Sequence, residues 1–169
     1  MVARVIAARD ALQAKRQVFF VSMGGFDNHD GILTDHPALL SKVAESLAAF
    51  QKELAVLKVE ELVTTFTASD FGRTLNSDGD GSDHGWGSMH FVMGGAVNGR
   101  DFYGTAPVTA NDGPDDVGRG RLLPTLSVDQ FGATLGKWFG VSETELLDVF
   151  PNLRNFDAST RDLGFMKRG

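Results

Sequence analysis

The chain has 169 residues, 42% of them hydrophobic and 22% charged, enough for one domain with a core and too few for two ordinary ones. Sixteen Lys and Arg against 22 Asp and Glu leave a net charge of −6, which argues against phosphate-backbone binding, so no nucleic-acid partner is expected. The absence of cysteine excludes a disulfide framework, a thiolate metal site and a cysteine nucleophile, and the short apolar runs fall far below the roughly 18 residues of a membrane span.

Val2, Val5, Ile6, Arg9 and Leu12 recur at helical spacing, predicting a short amphipathic helix over 2–14 without the unbroken apolar stretch of a signal peptide. Residues 17–23 form an apolar run rich in β-branched and aromatic side chains, stopped by Gly24 and Gly25, the pattern of a buried strand. From 37 to 57 the positions Leu39, Leu40, Val43, Leu47, Phe50, Leu54 and Leu57 recur every three or four residues and predict a helix. Pro37 suits its first turn, and Asp35 its cap. A second buried-strand pattern over 62–68 completes a strand, helix, strand unit, which implies parallel pairing.

A third strand is predicted over 91–97, with Asn98-Gly99 turning it into a β-hairpin spanning about 91–103. Residues 105–124 read as irregular loop. The pairs Ser127 with Gln130 and Ser142 with Glu145 have capping-box spacing and open helices over 128–139 and 143–149. The whole, residues 1–169, is expected to be a single α/β domain, whose ligands gather beyond the carboxyl ends of the strands.

Chemistry concentrates in those places. All four histidines fall between positions 29 and 90. Asp27, Asn28, His29 and Asp30 follow the first predicted strand, Asp70 and Arg73 follow the second, and Asp83 and His84 sit in a glycine-rich loop before the third. Parallel strand ends about 5 Å apart would bring Asp27, His29, Asp70 and His84 within reach of one metal ion or a pair. Imidazole and carboxylate together suit Zn²⁺ or Mn²⁺; carboxylates alone would favour Mg²⁺ or Ca²⁺. Turn formation accounts for Asp, Asn and Gly at these positions but gives no reason for His. His36, before Pro37, reads as a neighbour of a helix cap, while His90 on a strand is open between core, surface and support of the ligands. Arg73 is either a structural partner of Asp70 or a fork for a bound oxyanion. The run Asp78-Gly79-Asp80-Gly81-Ser82 imitates a calcium loop, but Asp83 stands where the loop needs Gly and Met89 where it needs Glu.

The motifs Gly24-Gly25-Phe26-Asp27-Asn28-His29, Thr67-Ala68-Ser69-Asp70-Phe71-Gly72-Arg73-Thr74 and Gly81-Ser82-Asp83-His84-Gly85-Trp86-Gly87 resemble the bacterial domain-of-unknown-function family 1501. Its members are typically exported by the twin-arginine route and placed near the alkaline phosphatase and sulfatase superfamily. The likeness runs over about residues 15–156 and includes Gly113 to Pro124 in the tail. It implies a mostly parallel sheet flanked by helices, an alkaline-phosphatase-like core, and divalent metal ions such as Zn, Mn or Ca. Carried over by position, Asp27, His29, Asp70 and His84 are the metal ligands, with Arg73 at the substrate and Asp83 and His90 behind the ligands. Phe71 stands where the superfamily often has His, so one ligand of a second metal is missing. Because the superfamily's nucleophile lies upstream of anything found here, the resemblance implies the carboxyl-terminal portion of a fold incomplete at its amino-terminal side. The expected activity is hydrolysis of a small-molecule phosphate or sulfate ester, inactive in this portion alone; the alternative is a non-catalytic scaffold or binding module with a structural ion. Self-association, or pairing with an amino-terminal portion, and a periplasmic or exported location complete these expectations.

Overall fold

The computed structural model describes residues 1–167. Helix α1 (Val2–Ala7) is shorter than its periodicity predicts: the chain leaves it through turns and Gln13 takes a left-handed φ of 54°. Its Ile6 is buried with Leu54 and Val59 at the far end of helix α2 (Ile32–Leu57), which fixes the pair. Helix α2 begins earlier than the spacing of its leucines suggests, because the Ile32 amide is satisfied from outside the helix by the Asp80 carbonyl at 3.1 Å. The start therefore needs no side-chain cap. Asp35 lies within the first turn instead of capping it, and Pro37 stands inside the helix, where its missing N–H leaves the Leu33 carbonyl without its helical donor.

The expected parallel sheet is absent among the described residues, and with it the alkaline-phosphatase-like α/β core. In its place are two antiparallel two-stranded sheets. Strand β1 (Thr64–Phe66) pairs not with 17–23 but with the segment after the glycine-rich loop, in register Thr64↔Gly94, Thr65↔Met93 and Phe66↔Val92. Between them, β2 (Arg73–Ser77) and β3 (Ser82–His84) form a hairpin with Arg73 opposite His84. Strand β4 (Val92–Gly94) completes the first sheet. Gly94 and Gly95 decide that pairing: a Cβ on either would overlap the backbone of Val63 or Glu60, so only glycine permits this approach. Residues 17–23 form no regular element and make no backbone hydrogen bond with any described residue.

The hairpin predicted around 91–103 does not form either. The carboxyl-terminal tail takes the partner's place: the Asn98 amide donates to the Phe165 carbonyl at 2.8 Å, and Val97 bridges Met166. Helices α3 (Val128–Phe139) and α4 (Glu143–Val149) occupy the positions their capping boxes indicate, with both reciprocal hydrogen-bond pairs made. Leu135 joins Ala96, Val97, Phe165 and Met166 in one core cluster, while Ala133 joins Leu146 and Leu153 in another. Among the described residues the architecture is thus four α-helices and two short antiparallel ladders, with three small hydrophobic clusters. No helix among the described residues is long and apolar enough to cross a membrane.

Candidate metal centre

The β2–β3 hairpin and the loop 24–31 build one site together. The Ser82 amide donates to the Asn28 carbonyl at 3.3 Å, and a Cβ at Gly81 would overlap the carbonyl of His29, so loop and hairpin lie backbone to backbone. Arg73 locks the junction: one guanidinium nitrogen donates to Asp27 Oδ1 at 2.5 Å, and the other donates to the carbonyls of Asn28, at 2.7 Å, and Ser82. Its fork is committed to the protein, and its acidic partner is Asp27, not Asp70.

Three atoms converge beside this lock. Asp27 Oδ1 lies 3.0 Å from His29 Nε2 and 2.9 Å from His84 Nε2, and the two Nε2 atoms are 3.1 Å apart. The side chains are 55%, 44% and 46% exposed, so the triangle opens to solvent. Arg73 above all, then His84 and His29, holds the Asp27 carboxyl below its usual value, so it is a carboxylate at neutral pH. His29 Nδ1 stands 3.3 Å from Asp78 Oδ2. His84 is held differently: Phe71 stacks on its ring with centroids 3.8 Å apart and planes at 17°, and its carbonyl accepts from Arg121 Nε at 3.3 Å.

The remaining residues singled out in the sequence are placed elsewhere. Asp70 is exposed and outside the triangle, and no described residue hydrogen-bonds its carboxylate. Asp83 accepts from the His84 amide at 2.8 Å and pairs with Arg121 and Arg119, supporting the strand end that carries His84. The His84 amide, ahead of the two arginines, keeps its carboxyl below the ordinary value. His90 lies at the β1–β4 ladder, near Thr67 and Phe131, where partial burial lowers its pKa. His36 meets the ring of Phe26 edge-on. Asp78 is visible in the sequence only as part of a failed calcium loop; the signal that could have found it is its place at a hairpin turn, one strand (β3) from His84.

The donor set fits a divalent cation. An ion about 2.1 Å from all three atoms would see each pair at roughly 90°, one face of an octahedron, whereas Ca²⁺ takes oxygen donors and two of the three atoms here are imidazole nitrogens. With mixed imidazole and carboxylate, Mn²⁺ or Zn²⁺ matches better.

The profile of the family described as "Protein of unknown function (DUF1501)" matches residues 1–153. The chain belongs to this family. No curated protein and no solved structure matches this DUF1501 chain.

Proposed function

We propose that Asp27, His29 and His84 hold one divalent cation, Mn²⁺ or Zn²⁺ in preference to Ca²⁺, and that the chain is the metal-binding portion of a hydrolase of phosphate or sulfate esters. The observation that carries the reading is the convergence of an oxygen and two nitrogens within 3.1 Å of one another at an open surface. With His29 Nδ1 facing a carboxylate and Asp27 ionised, their lone pairs are directed together, an arrangement that a cation relieves. Three protein ligands with open positions beyond them are characteristic of catalytic ions rather than closed structural ones. When bound, such an ion would supply charge stabilisation for a transferring phosphoryl or sulfuryl group. Arg73 acts by orienting Asp27, since its fork is already taken.

One observation favours a second reading, a non-catalytic module that keeps an ion: the apolar ring of Phe71 stacks on His84, 3.8 Å between centroids, and covers one face of that ligand. The family resemblance brings a periplasmic or exported location and a small-molecule ester substrate into the same proposal. The bare apolar stretch 17–23 supports self-association. Metal analysis of the purified chain tests the centre: about one equivalent of Mn²⁺ or Zn²⁺ is expected in the wild type and almost none in His84→Ala. Equal, negligible metal in both removes the reading. Turnover of aryl phosphates or sulfates by the metal-loaded chain, lost in His29→Ala, would favour the enzyme over the module.

A further inference from the structure

The turn Asp78-Gly79-Asp80-Gly81, which imitates a calcium loop in sequence, closes the β2–β3 hairpin and grips the loop carrying His29 at three points. The Asp80 carbonyl accepts from Ile32, three residues after His29, and the Ser82 amide donates to Asn28, the residue before it. The third point is the side chain of Asp78, whose Oδ2 lies 3.3 Å from His29 Nδ1. That carboxylate is 28% exposed, more sheltered than the ring it faces.

We propose that Asp78 is the positioning residue of the centre. An acceptor-only carboxylate opposite Nδ1 requires the proton to sit there, which leaves Nε2 with its lone pair turned toward Asp27 and His84. Imidazole ligands are commonly held in this way by a carboxylate on the far nitrogen. The hairpin therefore serves the site twice, carrying His84 at one end and setting the tautomer and plane of His29 at the other. His84 gets its orientation from the Phe71 stack and the Arg121 contact to its carbonyl, so the two histidines are fixed by unlike means.

This inference rests on the metal reading, and the two can fail separately. Asp78→Asn keeps shape and hydrogen bonding, so a merely structural role survives it. The amide can donate to Nδ1, however, and hold the opposite tautomer, as Asp to Asn exchanges beside histidine do elsewhere. Titration calorimetry of the full chain with Zn²⁺ alone should show affinity about 10–100-fold weaker in Asp78→Asn. Asp78→Glu, which restores an acceptor-only group, should recover most of it. Asp80→Ala, which removes a side chain that touches nothing in the site, should bind as the wild type does. Nitrogen NMR of the metal-free proteins gives an independent readout: a proton on His29 Nδ1 in the wild type, shifted toward Nε2 in Asp78→Asn. Zn²⁺ affinity within about threefold of wild type and an unchanged tautomer in Asp78→Asn would overturn the proposal. A wild type that shows the Nδ1 proton yet takes up no Zn²⁺ or Mn²⁺ would overturn the metal reading and this role with it.

Discussion

In α3, Ala133 and Leu135 are buried beneath Leu146, Leu153, Phe165 and Met166, whereas in the still more apolar stretch 17–23 Val18, Phe20 and Val21 are 82%, 91% and 77% exposed. The contrast does not follow from apolarity, which is high in both. It follows from where cover comes from. The cover of α3 is supplied by α4, the turns after it and the tail, all within about 40 residues and anchored by hydrogen-bonded caps. Residues 17–23 need neighbours along both edges, and although β1 and β4 each keep an outer edge, no described backbone hydrogen bond joins 17–23 to either. A buried-strand pattern is thus a statement of need, and only the rest of the chain decides whether the need is met.

The sharpest way to break this comparison is to damage the covered region. Leu153, 1% exposed, joins α3 to α4, and Leu153→Ala should destabilise the chain by about 2–5 kcal/mol in denaturant unfolding. A loss below about 1 kcal/mol would mean that the carboxyl-terminal cluster is not the organising core. The uncovered side should respond in the opposite sense to local repair. In α2 only Leu54 is buried, and Pro37 removes a helical bond; Pro37→Ala should therefore stabilise by about 1–3 kcal/mol and raise helicity. No gain in circular dichroism or melting temperature would show that the Asp80 anchor, rather than the helix interior, limits α2.

A smaller effect sharpens the role of caps. Ser127→Ala and Ser142→Ala should each cost about 0.5–2 kcal/mol, since each hydroxyl accepts from the amide of its first turn. The second cap should also report on pH. The Ser142 hydroxyl and then its amide hold the Glu145 carboxyl below its ordinary value, so its contribution is present above the unfolded value near 4.5 and disappears as pH falls through the lower folded value. Amide exchange in α4 should quicken in that acid range, and in Ser142→Ala the dependence should be weaker.

What could be read before the structure divides along the same line. Helices α3 and α4 were legible because a capping box and an apolar stripe are contained in a dozen residues. The strand partners were not, since alternation says nothing about which distant backbone is free; Gly94 and Gly95, read as strand interior, turn out to be the places where two backbones touch. The convergence of Asp27, His29 and His84 could be suspected from histidines beside turns, but the route differs from the expected one: an antiparallel hairpin lying on a loop, not the ends of parallel strands. Arg73 was noticed with the wrong acidic partner, because a spacing of three residues proposes Asp70 while the fold supplies Asp27 across 46. Asp78 was assigned to a motif that fails, and its contact with His29 depends on a register that no local pattern encodes.

The smallest expected effect on folding is the most direct test of the uncovered stretch. Phe20 is 91% exposed and its backbone is unpaired, so Phe20→Ser should change unfolding free energy by less than about 0.5 kcal/mol. Its effect should appear in association. An exposed apolar segment whose backbone groups have no described hydrogen-bond partner is a template for pairing with another strand, and a second copy of the chain presents the same segment. Sedimentation at rising concentration should therefore show a dimer or larger assembly of the wild type that Phe20→Ser, or a Val18→Lys exchange, shifts toward monomer at unchanged melting temperature. If instead Phe20→Ser lowers the melting temperature by many degrees while association is untouched, the side chain is covered within the chain in solution, and the contrast with α3 loses its basis.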